Sequence, residues 1–282
     1  MARMSPSFSR FKQRVIYVNG KLGINALLRK YADWYEGRAN KPLTLLDKEA
    51  KGGWSIVVIT DGRNNESLRL LLASASRELA GTPYEIIIVG PELLAESLAA
   101  DRAKHPLKLI PYKERILWGV PGWITKKKNL GIRSASYDKL VVTHDYIAFD
   151  PGWKKGYDVF EDFAACTNII LDKDGKRHVD WVVFDYPGIG QALLPYNASC
   201  SEYQYLNGTY FVVKRDFMLD NLLDEKLRWG EGEDVEWSKR VRSRVGFKLN
   251  QRSSVRYTKP KPAIAPEWIE RGERLAKIFG LK

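Results

Sequence analysis

The chain is poor in cysteine. Cys166 and Cys200 are the only two, too few for a disulfide framework, and they point to a reducing compartment. It also lacks any apolar run near the ~18 residues that a membrane-spanning helix needs. Its first residues, MARMSPSFSRFKQRVIYVNG, are basic but carry no continuous apolar core, so they do not read as a secretory signal. The three Asn-x-Ser/Thr triplets at Asn65, Asn197 and Asn207 therefore read as chance matches to the glycosylation pattern. No internal repeat is visible, and no RNA- or DNA-binding signature accompanies the basic charge. What the chain does have is 44% hydrophobic residues in 282, enough for one sizeable core.

Acidic charge is scarce only at the ends. Residues 1–53 carry 11 basic and 4 acidic groups, and residues 239–282 carry 13 and 3. The stretch between them carries 22 basic and 27 acidic, so a mildly acidic body lies between two basic ends. Such ends suit an anionic membrane surface, or they are simply solvated faces.

Periodicity divides the chain. Residues 22–35 place Ile24, Leu27, Leu28, Tyr31, Trp34 and Tyr35 on one helical face, closed by Gly37 and Pro42. WSIVVIT (54–60) and YEIIIVG (84–90) are continuous apolar runs of the kind buried on both sheet faces. A helix is expected over 65–80, a short one from about Pro91, a strand over 107–111, a helix over 123–136 and a strand over 139–143. This alternation predicts an α/β fold with a mostly parallel sheet and helices on both faces, where ligands collect at the carboxyl ends of strands. Farther on, 165–171 and 177–184 flank Asp172-Lys173-Asp174-Gly175 and predict a hairpin. Residues 185–206 read as a long loop, 209–214 as a strand, 233–245 as a helix and 266–279 as a terminal helix with Trp268, Leu275, Ile278 and Phe279 roughly on one face. The expected organisation is a basic N-terminal extension (1–53), a catalytic domain (54–250) and a basic tail with a helix (251–282).

Four pieces, in order, resemble nucleotide-sugar glycosyltransferases of the GT-A fold, above all the large inverting family 2. WSIVVITDGRN is similar to the family's first strand and nucleotide loop. KKKNLGIRSASYDKLVVTHDYI resembles its helix and the strand that ends in an Asp-x-Asp metal motif. LNGTYFVVKRDF resembles its acceptor-side strand, and WGEGEDVEW its Glu-Asp motif. The resemblance covers about residues 54–250. It implies a Rossmann-like GT-A sheet with a small antiparallel acceptor-side region.

It also implies roles. Sugar transfer builds negative charge on a departing diphosphate, which a divalent cation such as Mn²⁺ or Mg²⁺ can stabilise. The acceptor hydroxyl needs a carboxylate base. By resemblance, Asp145 and His144 are the metal candidates. Thr60, Asp61, Arg63, Lys128, Asn129, His144 and Asp145 are the donor-side candidates. Asp234 is the base with Glu233 beside it, and Asn207, Gly208 and Trp229 face the acceptor. The implied donor is a UDP- or GDP-type sugar, the acceptor a glycan or lipid-linked glycan, and the setting cytoplasmic, on the inner face of an anionic membrane, with no nucleic-acid partner.

The chain departs from the family in two places. Thr143-His144-Asp145 keeps one acid where the family shows two, and Gly90-Pro91-Glu92 follows the second strand where an Asp is usual. No histidine lies beyond His178, so the C-terminal histidine ligand of some relatives is missing. Arg252 and Arg256 are further candidates to approach the diphosphate. Blander readings stand beside each role. Asp61 can open a turn with Gly62, Lys126–Lys128 can be an exposed helix face, and Asp234 can be an acid favoured by a helix start. Trp229 and Trp237 can be core. A non-catalytic glycan-binding relative is the main alternative function. A sugar-nucleotide pyrophosphorylase ranks below it, because ITDGRNNES has no Gly-rich, Arg-containing loop.

Overall fold

The structure is a computed structural model, described over residues 24–40, 49–114, 122–199 and 202–278. Expectations for residues 1–23 and 41–48, for Cys200 and for Phe279 fall outside the described residues.

One eight-stranded sheet organises the chain. Its first half is laid down by α/β alternation: β1 (Lys51–Ile59), α2 (Asn65–Glu78), β2 (Tyr84–Gly90), the short α3 (Leu94–Ser97) and α4 (Ala99–Arg102), β3 (Leu107–Pro111), α5 (Ile124–Arg133) and β4 (Tyr137–His144). Helix α1 (Ile24–Ala39) precedes them. The second half contributes β5 (Ile147–Phe149), α6 (Trp153–Asp158), β6 (Ala165–Leu171), β10 (Tyr210–Lys214), α7 (Arg215–Asp220), α8 (Glu233–Val241), β11 (Lys248–Tyr257) and α9 (Pro266–Ile278). The strand order is β3-β2-β1-β4-β10-β6-β11-β5, with β3, β2, β1 and β4 parallel and β10 antiparallel to β4. A separate three-stranded antiparallel sheet holds β8 (Gly190–Leu193), β7 (Val182–Tyr186) and β9 (Gln204–Tyr205) in that order.

The apolar strands are buried on both faces because the side-chain period of two sends alternate residues to different cores. From β1, Val57 and Ile59 enter one cluster with Ile132, Phe211 and Trp237. Trp54, Ile56 and Val58 enter the other, with Leu68, Leu72, Phe149 and Trp153. Each such side chain contributes roughly 1.5–3 kcal/mol through burial. The second cluster is fixed in shape by aromatic edges, since Trp54 and Phe149 both meet Trp153 with ring centroids 4.8 Å apart.

Two expectations, the hairpin and the long loop, need refinement. Asp172–Gly175 makes the expected turn, with Gly175 N–H donating to Asp172 O, and the chain pairs antiparallel just beyond it, Leu171 with Arg177, but this hairpin is short. β6 pairs with β10 and β11, whereas β7 pairs with β8 and β9, so the turn hands the chain from one sheet to the other. The expected long loop over 185–206 contains β8 and β9. The eight-stranded sheet runs from β1, which starts at Lys51, to β11, which ends at Tyr257. The apolar face of α1 points largely outward: Leu27, Tyr31 and Trp34 are exposed, and Ala32 and Glu36 face the protein. A polar anchor selects that face. Glu36 accepts from the Tyr112 hydroxyl at 3.1 Å and pairs with Arg228 at 3.6 Å.

Helix α9 buries Leu275 and Ala276 while Ile278 stays exposed. Gly272 lets α9 touch β8. A Cβ there would lie 1.8 Å from the Leu193 carbonyl oxygen, so any other residue would push the helix off.

Candidate active site

Strand register builds the first wall. β1 and β4 are parallel neighbours with Ile59 opposite His144. The next residue on each strand, Thr60 and Asp145, therefore also falls side by side. Thr60 Oγ1 donates to Asp145 Oδ2 at 2.5 Å and accepts from Gly62 N–H at 2.9 Å. Burial pushes the Asp145 carboxyl above the usual range; the Thr60 hydrogen bond opposes the shift and the nearby Asp61 charge adds to it. Asp61 itself is exposed. It accepts from Arg63 N–H at 3.0 Å, the hydrogen bond of a turn-opening acid. The Arg63 side chain is open to solvent, and Asn64 caps α2 by accepting from Ser67 N–H. Glu92 is exposed as well.

The second wall is joined by a buried lysine. Lys128 is fully buried; its Nζ donates to the Gly208 carbonyl at 2.8 Å and to Glu233 Oε1 at 3.1 Å. Gly208 N–H in turn donates to Asp234 Oδ2 at 2.8 Å, and Val235 N–H to Oδ1 at 2.9 Å. Lys128, Gly208, Glu233 and Asp234 thus form one closed network. A Cβ at Gly208 would sit 2.7 Å from Glu233 Oε1, so the network needs glycine there. Asn207 shapes the same turn: its Oδ1 accepts from Thr209 N–H at 2.8 Å and its amide donates to Val179 O at 3.1 Å. Burial, then the Glu233 charge, hold the Asp234 carboxyl above the usual range. Two N–H donors and the first turn of α8 act against that shift.

An open cavity of about 1020 Å³ borders the second wall and His144, the neighbour of Asp145; Thr60 and Asp145 do not line it. Asn207, Gly208, Trp229, Glu233 and Asp234 line it on one side, and His144, Tyr146 and Lys261 on the other. Trp229 is 62% exposed while Trp237 is 1% exposed, stacked between Phe211 and Phe247. Of the two tryptophans, then, one faces the cavity and the other is core. His144 is partly buried beside Tyr146, with ring centroids 5.3 Å apart. Burial, then the Lys128 charge, keep its imidazole well below the usual range, so it is neutral at pH 7.

Several expected donor residues are engaged elsewhere. Asn129 is buried, and its side chain donates to Leu223 O and Glu225 Oε1 and accepts from Leu223 N–H, tying α5 to the segment after α7. Lys127 is buried and pairs with Glu114 at 2.9 Å, so Lys126–Lys128 is not an exposed face. Arg256 pairs with Asp150 at 2.5 Å, and Arg252 is exposed; neither lines the cavity.

Sequence reasoning missed Tyr146 and the segment Lys259-Pro260-Lys261. The Tyr146 hydroxyl is pushed up to about 12, mainly by burial, and feels both Asp145 and Glu233, so this ring stands between the walls. Lys259 and Lys261 lie 3.5 and 4.3 Å from its centroid. The signal was a basic residue on either side of a proline after the last strand, which had been folded into the charge of the tail.

The donor set for a divalent cation is thin. Asp145 is one carboxylate with an oxygen already accepting from Thr60, Asp61 is turned into its own loop, and His144 is a single imidazole. Among the described residues no group of three or more His, Cys, Asp or Glu side chains is gathered to hold a metal ion. The residues present do not build a metal site by themselves.

No protein-family model matches the chain, and no curated protein matches it. Solved structures do. The chain is similar to S. aureus TarS 1–349, with a TM-score of 0.53 at 15% identity over 73% of this chain and 60% of that one. It is similar to the same fragment in complex with UDP-GlcNAc, with a TM-score of 0.52 at 17% identity over 80% and 66%. It is also similar to the mannosyltransferase PcManGT from Pyrobaculum calidifontis in complex with GDP-Man and Mn²⁺, with a TM-score of 0.51 at 12% identity over 88% and 68%. The chain thus spans under two thirds of the TarS fragment, and 37% of the longer TarS structure. At these identities the likeness is one of architecture: the chain has the GT-A fold of these glycosyltransferases.

Proposed function

We propose that this protein is a glycosyltransferase that moves one sugar from a nucleoside-diphosphate donor to a hydroxyl of a glycan or lipid-linked glycan, with inversion. One observation carries the reading: a GT-A fold in which an oriented carboxylate of raised pKa, Asp234, faces a cavity that is also lined by His144, the last residue of β4 and the chain neighbour of Asp145. The bound UDP-GlcNAc and GDP-Man of the neighbours support a sugar nucleotide as donor.

In this mechanism the acceptor hydroxyl lies by Trp229, whose exposed ring suits a sugar face. Asp234 takes the hydroxyl proton as the new bond to the sugar's anomeric carbon forms. The bond from that carbon to the phosphate oxygen breaks, and its electron pair leaves with the diphosphate. Two backbone N–H groups orient Asp234, and its raised pKa makes it a stronger base than a free aspartate. Glu233 and Lys128 hold the Gly208 turn against it. On the donor side, Thr60 and Asp145 fix the loop ends where the nucleotide would lie, with Asp61, Arg63, Lys128 and Asn129 serving as turn and scaffold. The Mn²⁺ of the mannosyltransferase structure supports a divalent ion beside the diphosphate as an addition to these residues. The catalytic unit we assign is the sheet from Lys51 to Tyr257.

The setting we propose is the surface of an anionic membrane. Leu27, Tyr31 and Trp34 form an exposed stripe on α1, within a basic N-terminal segment. No described helix is long and apolar enough to cross a membrane.

The test is a donor panel of UDP- and GDP-sugars, followed by release of free UDP or GDP in the presence of bacterial glycan and lipid-linked acceptors. Turnover of one donor class with an inverted anomeric product supports the reading. Glycan binding without turnover of any donor favours the non-catalytic alternative.

A further inference from the structure

The segment that leaves β11 is fastened beside the cavity, which Lys261 lines. Thr258 N–H donates to the Tyr146 carbonyl at 3.0 Å, and His178 Nε2 donates to the Pro262 carbonyl at 3.2 Å. Pro260 and Pro262 restrict the backbone between and after these anchors. The result places two ammonium groups on one ring. Lys259 Nζ lies 3.5 Å and Lys261 Nζ 4.3 Å from the Tyr146 centroid, and Lys261 also donates to the Tyr146 hydroxyl at 3.3 Å.

This pair is unusual in what it lacks. Both side chains are half-buried, yet among the described residues neither has a carboxylate within 4 Å. The acids that Lys259 feels are Asp145 and Asp61, at the ends of β4 and β1, and Lys259 in turn repels Lys261. Most other cations around the cavity are committed: Lys128 to Glu233, Arg240 to Glu236, Lys239 to Asp185. A cation–π contact stabilises a single ammonium, but it does nothing for the repulsion between two. An anion with two or more charges, bound at the strand ends, would relieve that repulsion.

We propose that Lys259 and Lys261 bind the diphosphate of the sugar nucleotide and neutralise the charge that builds on it as it leaves. The assignment rests on the glycosyltransferase reading above. It fills the place that the thin donor set leaves open: where the residues do not build a metal site, two ammonium groups face the same strand ends. As the anomeric C–O bond breaks, its electron pair moves to the phosphate oxygen, and the lysines stabilise that oxygen by charge and hydrogen bonding without transferring a proton. Donor binding then continues when divalent cations are removed.

The experiment is calorimetric titration of UDP, GDP, UMP and GMP into wild type and into Lys259→Gln, Lys261→Gln and the double variant, each in EDTA and in Mn²⁺. One diphosphate is expected to bind wild type in EDTA, roughly tenfold or more weaker in each single variant, with the matching monophosphate changed far less. Lys259→Arg and Lys261→Arg should restore much of the loss, which a merely structural role would not require. Nucleotide binding that needs Mn²⁺, or that is unchanged in the double variant, overturns the lysine assignment and leaves the glycosyltransferase reading intact. If no nucleotide binds wild type under either condition, that reading fails, and the lysine assignment fails with it.

Discussion

The two walls of the site, of which the second lines the cavity, are made by different means. The Thr60–Asp145 wall follows from pairing: two parallel strands end in register, and adjacent residues meet without help from the rest of the chain. The Asp234 wall is assembled over long sequence distances, with Lys128 from α5 reaching the Gly208 turn and Glu233 of α8. Both carboxylates are lifted by burial, but Asp145 is held by a hydroxyl and Asp234 by two backbone N–H groups. A register wall is rigid as long as the sheet exists. A network wall depends on single side chains, so the two should respond differently to substitution.

The largest expected difference comes from the network. Lys128→Met leaves Glu233 buried without its cation and should cost about 3–5 kcal/mol in chemical denaturation. Thr60→Val on the register wall removes one hydroxyl hydrogen bond and should cost about 0.5–1.5 kcal/mol. Equal losses would break the comparison.

A second contrast concerns pH. If Asp234 is the base, as proposed, its raised pKa puts the acid limb of kcat/KM above that of an ordinary aspartate, with activity falling as pH drops through that limb. Glu233→Gln removes the charge that helps raise it, so the limb should move to lower pH. A limb that stays in place would show that Glu233 does not act on the titrating group. The smallest effect is expected at α1. Replacing Leu27, Tyr31 and Trp34 together with Ser should change stability by little more than about 0.5 kcal/mol per site, while binding to anionic vesicles falls. Unchanged vesicle binding would return the stripe to ordinary surface.

The same contrast explains what the sequence disclosed. WSIVVIT and LVVTHD announce buried strands by composition, and the acid after the second needs a reason to be there, so the register wall was legible. The Glu-Asp pair at 233–234 was legible through resemblance. The partner of Glu233 was not, because nothing local distinguishes Lys128, fully buried, from Lys126, half-exposed over the Trp123 ring. Asn129 misled for the same reason: a buried side chain tied across 94 residues looks, in sequence, like a polar residue awaiting a ligand. The hairpin at 172–175 stays short because a turn fixes only the residues beside it, and the strands beyond found better partners in two sheets. β5 and β11 went unread, since β5 is three residues long and β11 is polar along much of its length.

The central claim is that Asp234 does chemistry while the opposite wall holds the donor. The most direct test measures donor affinity and the rate of sugar transfer together in wild type and Asp234→Ala. The account predicts an affinity within about twofold of wild type and a rate lower by roughly 10²–10⁴-fold. A variant that transfers sugar at the wild-type rate, or that loses donor binding along with transfer, would contradict it.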